Sequence, residues 1–259
     1  MDLRFIFNKS LPVQYKPKEH LIKRVTGEDA INFYSDVVVK ITIGYQNSKL
    51  YCTGTFLNSR FILTAASCFL KDGKEADYNK VIVSVGDSFN EMRFRLEKII
   101  KHEGFNANTF ENNIAILKLS GNISLKGNLF KVEPQELEKR DSLKIVGYGF
   151  TNIKDNINSK RFLRSLEITQ NNGKLCDKYE KTGKSYCYEV SFNQSTCYGD
   201  MGGPVLIQRE NVFYIFGISS HFYSSGKRGS CGENGDIGFM TLVSEYKSWI
   251  DINSVIDNI

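Results

Sequence analysis

Ser195-Thr-Cys-Tyr-Gly-Asp-Met-Gly-Gly-Pro-Val205 is the most informative stretch of this 259-residue chain. Its glycines and its proline are turn residues, so the stretch is predicted to be a loop. The apolar run 204–207 begins within it and is predicted to be a short buried strand. Asp200 and Met201 lie at the centre of the loop, and the identities of these two side chains bear on the function.

On both sides of this loop the chain alternates short β-branched and aromatic runs with turn residues. Strands this frequent, without helical periods between them, predict an all-β antiparallel barrel or sandwich. The predicted strands are 37–43, 61–63, 81–85, 114–119, 143–147, 162–168, 204–207, 212–218 and 238–243.

The C-terminal end has a different pattern, which predicts a helix over about 244–257. Ser244 is its expected N-cap. The apolar residues that recur there at helical spacing are Tyr246, Trp249, Ile250 and Ile256.

The net charge of +5 is concentrated at the N-terminus, where residues 1–23 hold five basic and two acidic side chains. This segment is predicted to be a leader or pro-segment. The rest of the chain is nearly balanced, so no nucleic-acid partner is expected. No apolar run approaches the roughly 18 residues of a membrane-spanning helix, so no membrane partner is expected either.

Six cysteines at wide spacings favour three disulfides and an oxidising, extracellular compartment. No Cys-x-x-Cys pair and no cluster with metal-ligand spacing occurs, so neither a metal nor another cofactor is expected. Sequence alone cannot choose among the pairings. The cysteines are Cys52, Cys68, Cys176, Cys187, Cys197 and Cys231.

Five stretches, in order along the chain, resemble motifs of the chymotrypsin- and trypsin-like serine proteases. The loop at 195–205 resembles Cys-x-Gly-Asp-Ser-Gly-Gly-Pro, with Met201 in place of the serine. The others are Leu63-Thr-Ala-Ala-Ser-Cys68, Asn112-Asn-Ile-Ala-Ile-Leu117, Val146-Gly-Tyr-Gly149, and Gly238-Phe-Met-Thr-Leu-Val243 with Trp249-Ile250. The resemblance covers nearly the whole chain from residue 24 to residue 253.

This resemblance implies two six-stranded antiparallel β-barrels and a C-terminal α-helix, with the site in the cleft between the barrels. The implied divisions are a first barrel at about 24–121, a connector at about 122–140 and a second barrel at about 141–243. The implied disulfides are Cys52–Cys68, Cys176–Cys187 and Cys197–Cys231.

The family's catalytic histidine, aspartate and serine correspond here to Ser67, Asn113 and Met201. In that triad the serine attacks, the histidine takes its proton and the aspartate orients the histidine. A thioether has no proton to lose, a hydroxyl is no base near neutral pH, and an amide carries no charge. The resemblance therefore predicts a pseudoprotease in which the N–H groups of Gly199 and Met201 form a vestigial oxyanion hole.

Three histidines are available as substitutes, but none has a nucleophile to activate at Met201. His20 lies in the leader, and His102 is predicted to be structural or solvent-exposed. His221 is predicted to be a plain surface residue, with a ligand contact as the alternative.

The substrate pocket and the activation switch also depart from the family. The pocket positions are Ser195 at the base with Ser220, Phe222 and Gly238. Ser195 does not favour basic substrates, and Phe222 is predicted to fill the pocket, although it could also pack elsewhere. In the family a new N-terminus pairs with the aspartate that is Asp200 here. Arg24 stands at that terminus, and burying a second cation there is costly, so cleavage after Lys23 is in doubt.

The overall pattern is similar to that of the scabies mite inactivated serine protease paralogues, relatives of mite group 3 allergens. That resemblance implies secretion by a parasite, immune evasion, and inhibition of host complement through a surface exosite. The alternatives are a non-catalytic cofactor of an innate-immune protease cascade and a residual serine endopeptidase. Three N-glycosylation sequons, which begin at Asn8, Asn122 and Asn193, are consistent with secretion.

Overall fold

The computed structural model describes residues 34–45, 48–86, 91–132, 136–138, 141–150, 161–169, 176, 184–189, 195–223, 231 and 236–255. The predicted leader at 1–23 and the predicted start of the domain at 24 lie outside these residues.

The β-branched runs of the first half form a closed antiparallel barrel in the strand order β1-β2-β3-β8-β7-β6. The remaining two strands of this half, β4 and β5, form a small hairpin. The strands are β1 (Val38–Tyr45), β2 (Ser48–Phe56), β3 (Phe61–Thr64), β4 (Leu70–Lys71), β5 (Lys74–Glu75), β6 (Val81–Val85), β7 (Met92–Lys101) and β8 (Ala115–Leu119). The predicted first barrel is confirmed.

Branched and aromatic side chains from all sides of the barrel fill its interior. Ile41, Phe56, Val83 and Leu117 are examples that have no solvent exposure. Burying a side chain of this size contributes roughly 1.5–3 kcal/mol, so the barrel is a rigid base for the loops at its ends.

The second half forms a six-stranded antiparallel sheet in the order β10-β9-β12-β13-β14-β11. In the described part of the chain no pairing joins its edge strands β10 and β11, so the predicted second barrel is observed as a sheet. The strands are β9 (Ser142–Gly147), β10 (Arg164–Thr169), β11 (Ser185–Glu189), β12 (Pro204–Arg209), β13 (Val212–Tyr223) and β14 (Ile237–Leu242).

The connector between the halves is fastened to β13. Lys131 donates its backbone N–H to the Phe213 carbonyl, and its own carbonyl accepts from Ile215, both at 2.9 Å. The rings of Tyr34, Phe130 and Phe213 form T-shaped, edge-to-face contacts, with centroids 5.5–6.3 Å apart. The two halves are thereby packed through an aromatic cluster at this point.

The chain ends in a 3-10 helix, Val243–Tyr246, followed by the α-helix α1, Lys247–Asn253. The expected helix is therefore present, but its first turn is 3-10. Ser244 lies inside that turn, and Tyr246 rather than Ser244 occupies the N-cap of α1. Residues 256–257 of the predicted helix lie outside the described residues.

Three disulfides join the six cysteines, in the pairing that the family resemblance implies. They are Cys52–Cys68, Cys176–Cys187 and Cys197–Cys231. Cys52–Cys68 ties β2 to the 3-10 helix Ala66–Phe69, which carries Ser67. Cys197–Cys231 closes on the loop at 195–205. A disulfide contributes typically about 2–4 kcal/mol by restricting the unfolded chain, so both site loops are held firmly.

Candidate functional site

Asp200 organises the loop at 195–205. Its carboxylate is 3% exposed and accepts backbone N–H groups from Gly149 at 2.7 Å and Cys197 at 2.9 Å. A Cβ at Gly149 would lie 2.2 Å from Asp200 Oδ2, so no larger residue fits there. This close approach explains the glycine that ends the Val146-Gly-Tyr-Gly149 motif.

Thr53 of β2 fixes the same loop from the first barrel. Its hydroxyl donates to the Gly199 carbonyl at 2.7 Å, and its N–H donates to the Met201 carbonyl at 2.8 Å. Gly202 adopts φ +83°, and a Cβ there would lie 2.1 Å from Thr64 Oγ1. Only glycine fits that position, because both the backbone angle and the space exclude a side chain.

The N–H groups of Gly199 and Met201 donate to no other group in the described residues. Gly199 has φ +101°, which places its peptide in a conformation that glycine adopts readily. The two donors that the sequence assigned to a vestigial oxyanion hole therefore have no acceptor among the residues that the structure describes.

Ser67 and Asn113 lie in direct contact, as the family resemblance implies. The side-chain oxygen of Asn113 accepts the Ser67 N–H at 2.8 Å, and its amide nitrogen donates to Ser67 Oγ at 3.1 Å. The same nitrogen donates to Ser220 Oγ at 2.8 Å. Asn113 has no solvent exposure, so its amide is a buried and satisfied connector between both halves of the molecule.

Replacing Asn113 by alanine is expected to destabilise the fold by about 2–3 kcal/mol, because it leaves the Ser67 N–H and neighbouring hydroxyls without their partner. Urea unfolding followed by fluorescence measures this loss. Ser67→Ala is the matched control, since it removes only the half-exposed end of the network, and we expect it to cost less. Equal costs for the two variants would contradict a central role of Asn113.

Met201 is partly buried and packs against the larger apolar core, to which both halves contribute residues. A thioether has neither a proton to transfer nor a charge. Together with the hydroxyl of Ser67 and the amide of Asn113, this arrangement contains no base with a pKa near neutrality. The three positions can donate and accept hydrogen bonds, and they form no proton relay.

Tyr188 occupies the space between the predicted pocket residues. It pairs with Gly238 across β11 and β14, and a Cβ at Gly238 would lie 2.1 Å from the Tyr188 ring. Its hydroxyl lies 3.1 Å from Thr196 Oγ1, and Ser219 is close by. Tyr188 is only 1% exposed, and burial raises the pKa of its hydroxyl.

Gly238 is the predicted pocket residue that faces this tyrosine directly, and Phe222 pairs with Gly238 from the neighbouring strand β13. Phe222 is partly buried, and its ring meets that of Tyr198 edge to face at a centroid distance of 5.3 Å. Ser195 is buried at the base and donates its hydroxyl to the Thr196 carbonyl at 2.7 Å. The filling of the pocket by Phe222 stays a prediction. Tyr188 itself was missed.

His221 is held between two aromatic rings, which corrects its prediction as a plain surface residue. It stacks on Phe110 at 4.3 Å and on Phe239 at 4.4 Å, with interplanar angles of 16° and 2°. Its Nδ1 lies 3.0 Å from Ser220 Oγ, so the network from Asn113 ends on this ring. Burial lowers the pKa of His221 to about 4.

We expect His221 to make stability pH-dependent between pH 7 and pH 5. The folded pKa is below the unfolded value of about 6.5, so the unfolded chain takes up the proton first and stability falls as pH falls. The expected loss from this group is about 2 kcal/mol over that window. Urea titrations at both pH values measure it, and His221→Phe is expected to remove it. An unchanged slope in that variant would contradict the burial of a neutral imidazole.

Arg161 is a further buried group beside the loop that the sequence did not indicate. Its guanidinium carbon lies 3.7 Å from the Phe150 ring centroid and 3.9 Å from that of Tyr51. A Cβ on Gly199 would lie 3.2 Å from Arg161 Nη1, which shows how closely the guanidinium approaches the unused donors. Cation–π contacts of this kind contribute up to about 2 kcal/mol each when desolvated.

The other predicted residues fall away from this site. His102 contacts the rings of Tyr246 and Trp249, both at 5.3 Å, and so helps to hold α1 on the first barrel. Arg24 and Lys23 lie outside the described residues. Within the described ranges, no group of three or more His, Cys, Asp or Glu residues is placed to hold a metal ion. No helix in the same ranges has the length and apolar character needed to cross a membrane.

Comparison with known proteins agrees with the fold and the motifs. The profile of the Trypsin family matches residues 25–250. The chain is 26% identical over 220 residues to cationic trypsin-3 of Rattus norvegicus, covering 82% of this chain and 81% of that protein. It is 27% identical over 218 residues to trypsin-1 of Astacus astacus, covering 79% and 88%.

A third similar protein is larger. The chain is 25% identical over 222 residues to transmembrane protease serine 11B of Homo sapiens, which covers 77% of this chain and 49% of that protein. The family profile spans both sheets and every motif around the site. The chain therefore belongs to the trypsin family of serine proteases.

Proposed function

We propose that this chain is a secreted, catalytically inactive member of the trypsin family that acts by binding other proteins. The observation that carries the proposal is the buried network of Asn113 with Ser67 and Ser220 beside Met201. Hydroxyl, amide and thioether groups supply no base near neutral pH, and the thioether of Met201 replaces the hydroxyl that would attack the substrate. In another protease, loss of the whole triad lowers turnover by roughly 10⁶-fold.

The filled pocket supports the same proposal independently. Peptide cleavage needs a substrate side chain bound near the reacting groups, because that binding positions the scissile bond. Tyr188 already occupies the space beside Gly238, Thr196 and Ser219. A substrate side chain would have to displace a fully buried tyrosine.

Large exposed aromatic side chains near the site support a role in protein binding. Tyr198 is 46% exposed and Tyr223 is 47% exposed, and each contacts an aromatic neighbour that holds it in place. Tyrosine is enriched among the residues that dominate protein–protein binding energy. Loops on a rigid scaffold can keep such a surface after the chemistry is lost. Three disulfides fit an extracellular setting.

The proposed target is a component of host complement, a step that rests on the sequence resemblance to the scabies mite paralogues. The partner is expected to bind a surface exosite and not the filled pocket. Complement inhibition in human serum, measured separately for the classical, lectin and alternative pathways, tests this step. Folded protein is expected to inhibit and heat-denatured protein is not. Folded protein that inhibits none of the pathways would overturn complement as the target and leave the inactive-protease proposal standing.

A fluorophosphonate probe, which labels activated serines, tests the inactivity directly. We expect no labelling of the folded chain under conditions in which an active trypsin is labelled completely. A covalent adduct on the folded chain, located by peptide mass spectrometry, would overturn the proposal. It would identify the serine that had been activated.

A further inference from the structure

We propose that Asn122 is an N-glycosylation site whose oligosaccharide covers the end of the first barrel opposite the candidate site. The proposal rests on the secretory route proposed above, because the oligosaccharide is added in that pathway. The sequence contains three sequons, and the one at Asn122 lies wholly within the described residues.

Asn122 and Ser124 lie on one outward face of an extended segment that follows β8. Both residues are exposed, while Ile123 and Leu125 between and after them are half-buried and pack on the apolar core of the first half. Residues two apart in an extended chain share a face. The acceptor asparagine and the serine that completes its sequon are therefore presented together to solvent.

The backbone of this segment is held in that orientation. The Ile123 N–H donates to the Ser59 carbonyl at 2.9 Å, which fixes the segment against the turn between β2 and β3. The Asn122 side chain makes no hydrogen bond to any other described residue. An oligosaccharide attached to its amide nitrogen would therefore break no hydrogen bond to a described residue.

In the sequon of Asn193 the third residue, Ser195, is buried, whereas Ser124 is exposed. Ser195 is 1% exposed, and its hydroxyl donates to the Thr196 carbonyl at 2.7 Å. A neighbouring disulfide at Cys197 and the buried Thr196 pack this residue into the base of the pocket. Ser195 is therefore buried in the folded protein, while Ser124 is exposed to solvent. Asn8 and Asn193 lie outside the described residues.

The covalent step is a group transfer from a lipid-pyrophosphate oligosaccharide. Asn122 Nδ2 forms a bond to the anomeric carbon of the first sugar and loses one proton. The lipid pyrophosphate leaves with the electron pair of the bond that breaks. No oxidant or reductant is required.

The position of Asn122 predicts which surface remains open to a protein partner. β3 pairs with β8 from Phe61↔Lys118 at one end to Thr64↔Ala115 at the other. Ser67 and Asn113 lie just beyond the Thr64 end, and Asn122 lies beyond the Phe61 end. An oligosaccharide at Asn122 therefore shields the turn between β2 and β3 and leaves the candidate site uncovered.

The test is expression of residues 1–259 in a eukaryotic host behind that host's own signal peptide. Peptide N-glycosidase in heavy-oxygen water then converts each occupied asparagine to a labelled aspartate, which mass spectrometry locates. We expect labelled Asp at position 122 in the wild type and its complete loss in Ser124→Ala, which keeps Asn122 and the fold. Ser124→Thr is expected to keep or raise occupancy, and Asn193→Gln is expected to leave it unchanged.

Folded, secreted wild-type protein with an unmodified Asn122 would overturn the proposal, provided that a reference glycoprotein from the same cells is occupied. Label at position 122 that persists in Ser124→Ala would overturn it as well. Because the host signal supplies entry to the pathway, this readout does not depend on the chain's own route or on complement binding. Failure of the site and failure of the proposed function are therefore distinguishable.

Discussion

The Tyr188→Ala variant is expected to lose about 3–5 kcal/mol of unfolding free energy and to regain a large part of it when phenol is added. The loss follows from removing a fully buried aromatic ring and leaving a cavity between Gly238, Thr196 and Ser219. Phenol is the group that the substitution deletes, so it fits the cavity and restores the hydrogen bond to Thr196. Thermal unfolding with increasing phenol measures both effects.

Three controls separate the contribution of ring packing from that of the hydroxyl hydrogen bond of Tyr188. Tyr188→Phe keeps the ring and is expected to cost about 1 kcal/mol for the lost hydrogen bond. Benzene is expected to stabilise Tyr188→Ala less than phenol does, because it cannot pair with Thr196. Tyr186→Ala, a half-buried tyrosine on the same strand, is expected to cost less and to show no response to phenol. A folded Tyr188→Ala that ignores phenol would show that Tyr188 does not fill a pocket of its own shape.

The all-β fold was predictable because β-branched runs and turn residues alternate throughout the chain. Two of the strands that escaped prediction, β2 and β7, carry polar or charged side chains that interrupt their apolar pattern. β7 carries Arg93, Arg95 and Glu97 on its exposed side, so its apolar positions form no continuous run. β2 buries Thr53 and Thr55, two polar residues that hydrogen-bond across the barrel and the cleft.

The geometry of the site was predictable wherever one residue type is required by a close approach. Gly149 against Asp200 and Gly202 against Thr64 leave no space for a side chain, so the motif survives even though Met201 replaces the serine. The contact between Ser67 and Asn113 followed from the same motifs. Close backbone packing requires particular residue types at these positions, so a sequence motif identifies them.

Tyr188 and Arg161 were not predictable, for a common physical reason. Each is an ordinary residue whose role depends on which neighbours its ring or guanidinium meets after folding. Tyr188 is one of many strand aromatics, and only its register with Gly238 directs it into the pocket. Arg161 becomes buried because Tyr51 and Phe150, distant in sequence, enclose its guanidinium. His221 was predicted to be exposed because the sequence did not show Phe110 and Phe239 stacking on it.

Restoring the three family residues is expected to be insufficient for peptide cleavage unless the pocket is also opened. Ser67→His, Asn113→Asp and Met201→Ser together should create a serine that reacts with a fluorophosphonate. The supporting groups for it are present. The Ser67 N–H and the Ser220 hydroxyl already contact position 113, and the N–H groups of Gly199 and Met201 donate to no described residue. Adding Tyr188→Ala is expected to raise cleavage of peptides with a tyrosine or phenylalanine at the cleaved bond by at least about 100-fold.

Fluorophosphonate labelling and peptide cleavage together separate a defect in the catalytic groups from a defect in substrate binding. Labelling depends on the nucleophile and its base, while cleavage also depends on a side chain bound in the pocket. We therefore expect both multiple variants to be labelled and only the one with the opened pocket to cleave. Equal cleavage by both would show that Tyr188 does not block the substrate. If neither variant is labelled although both are folded, the cause of inactivity would lie in the loop that Asp200 organises. It would then not be explained by the triad residues or by the pocket.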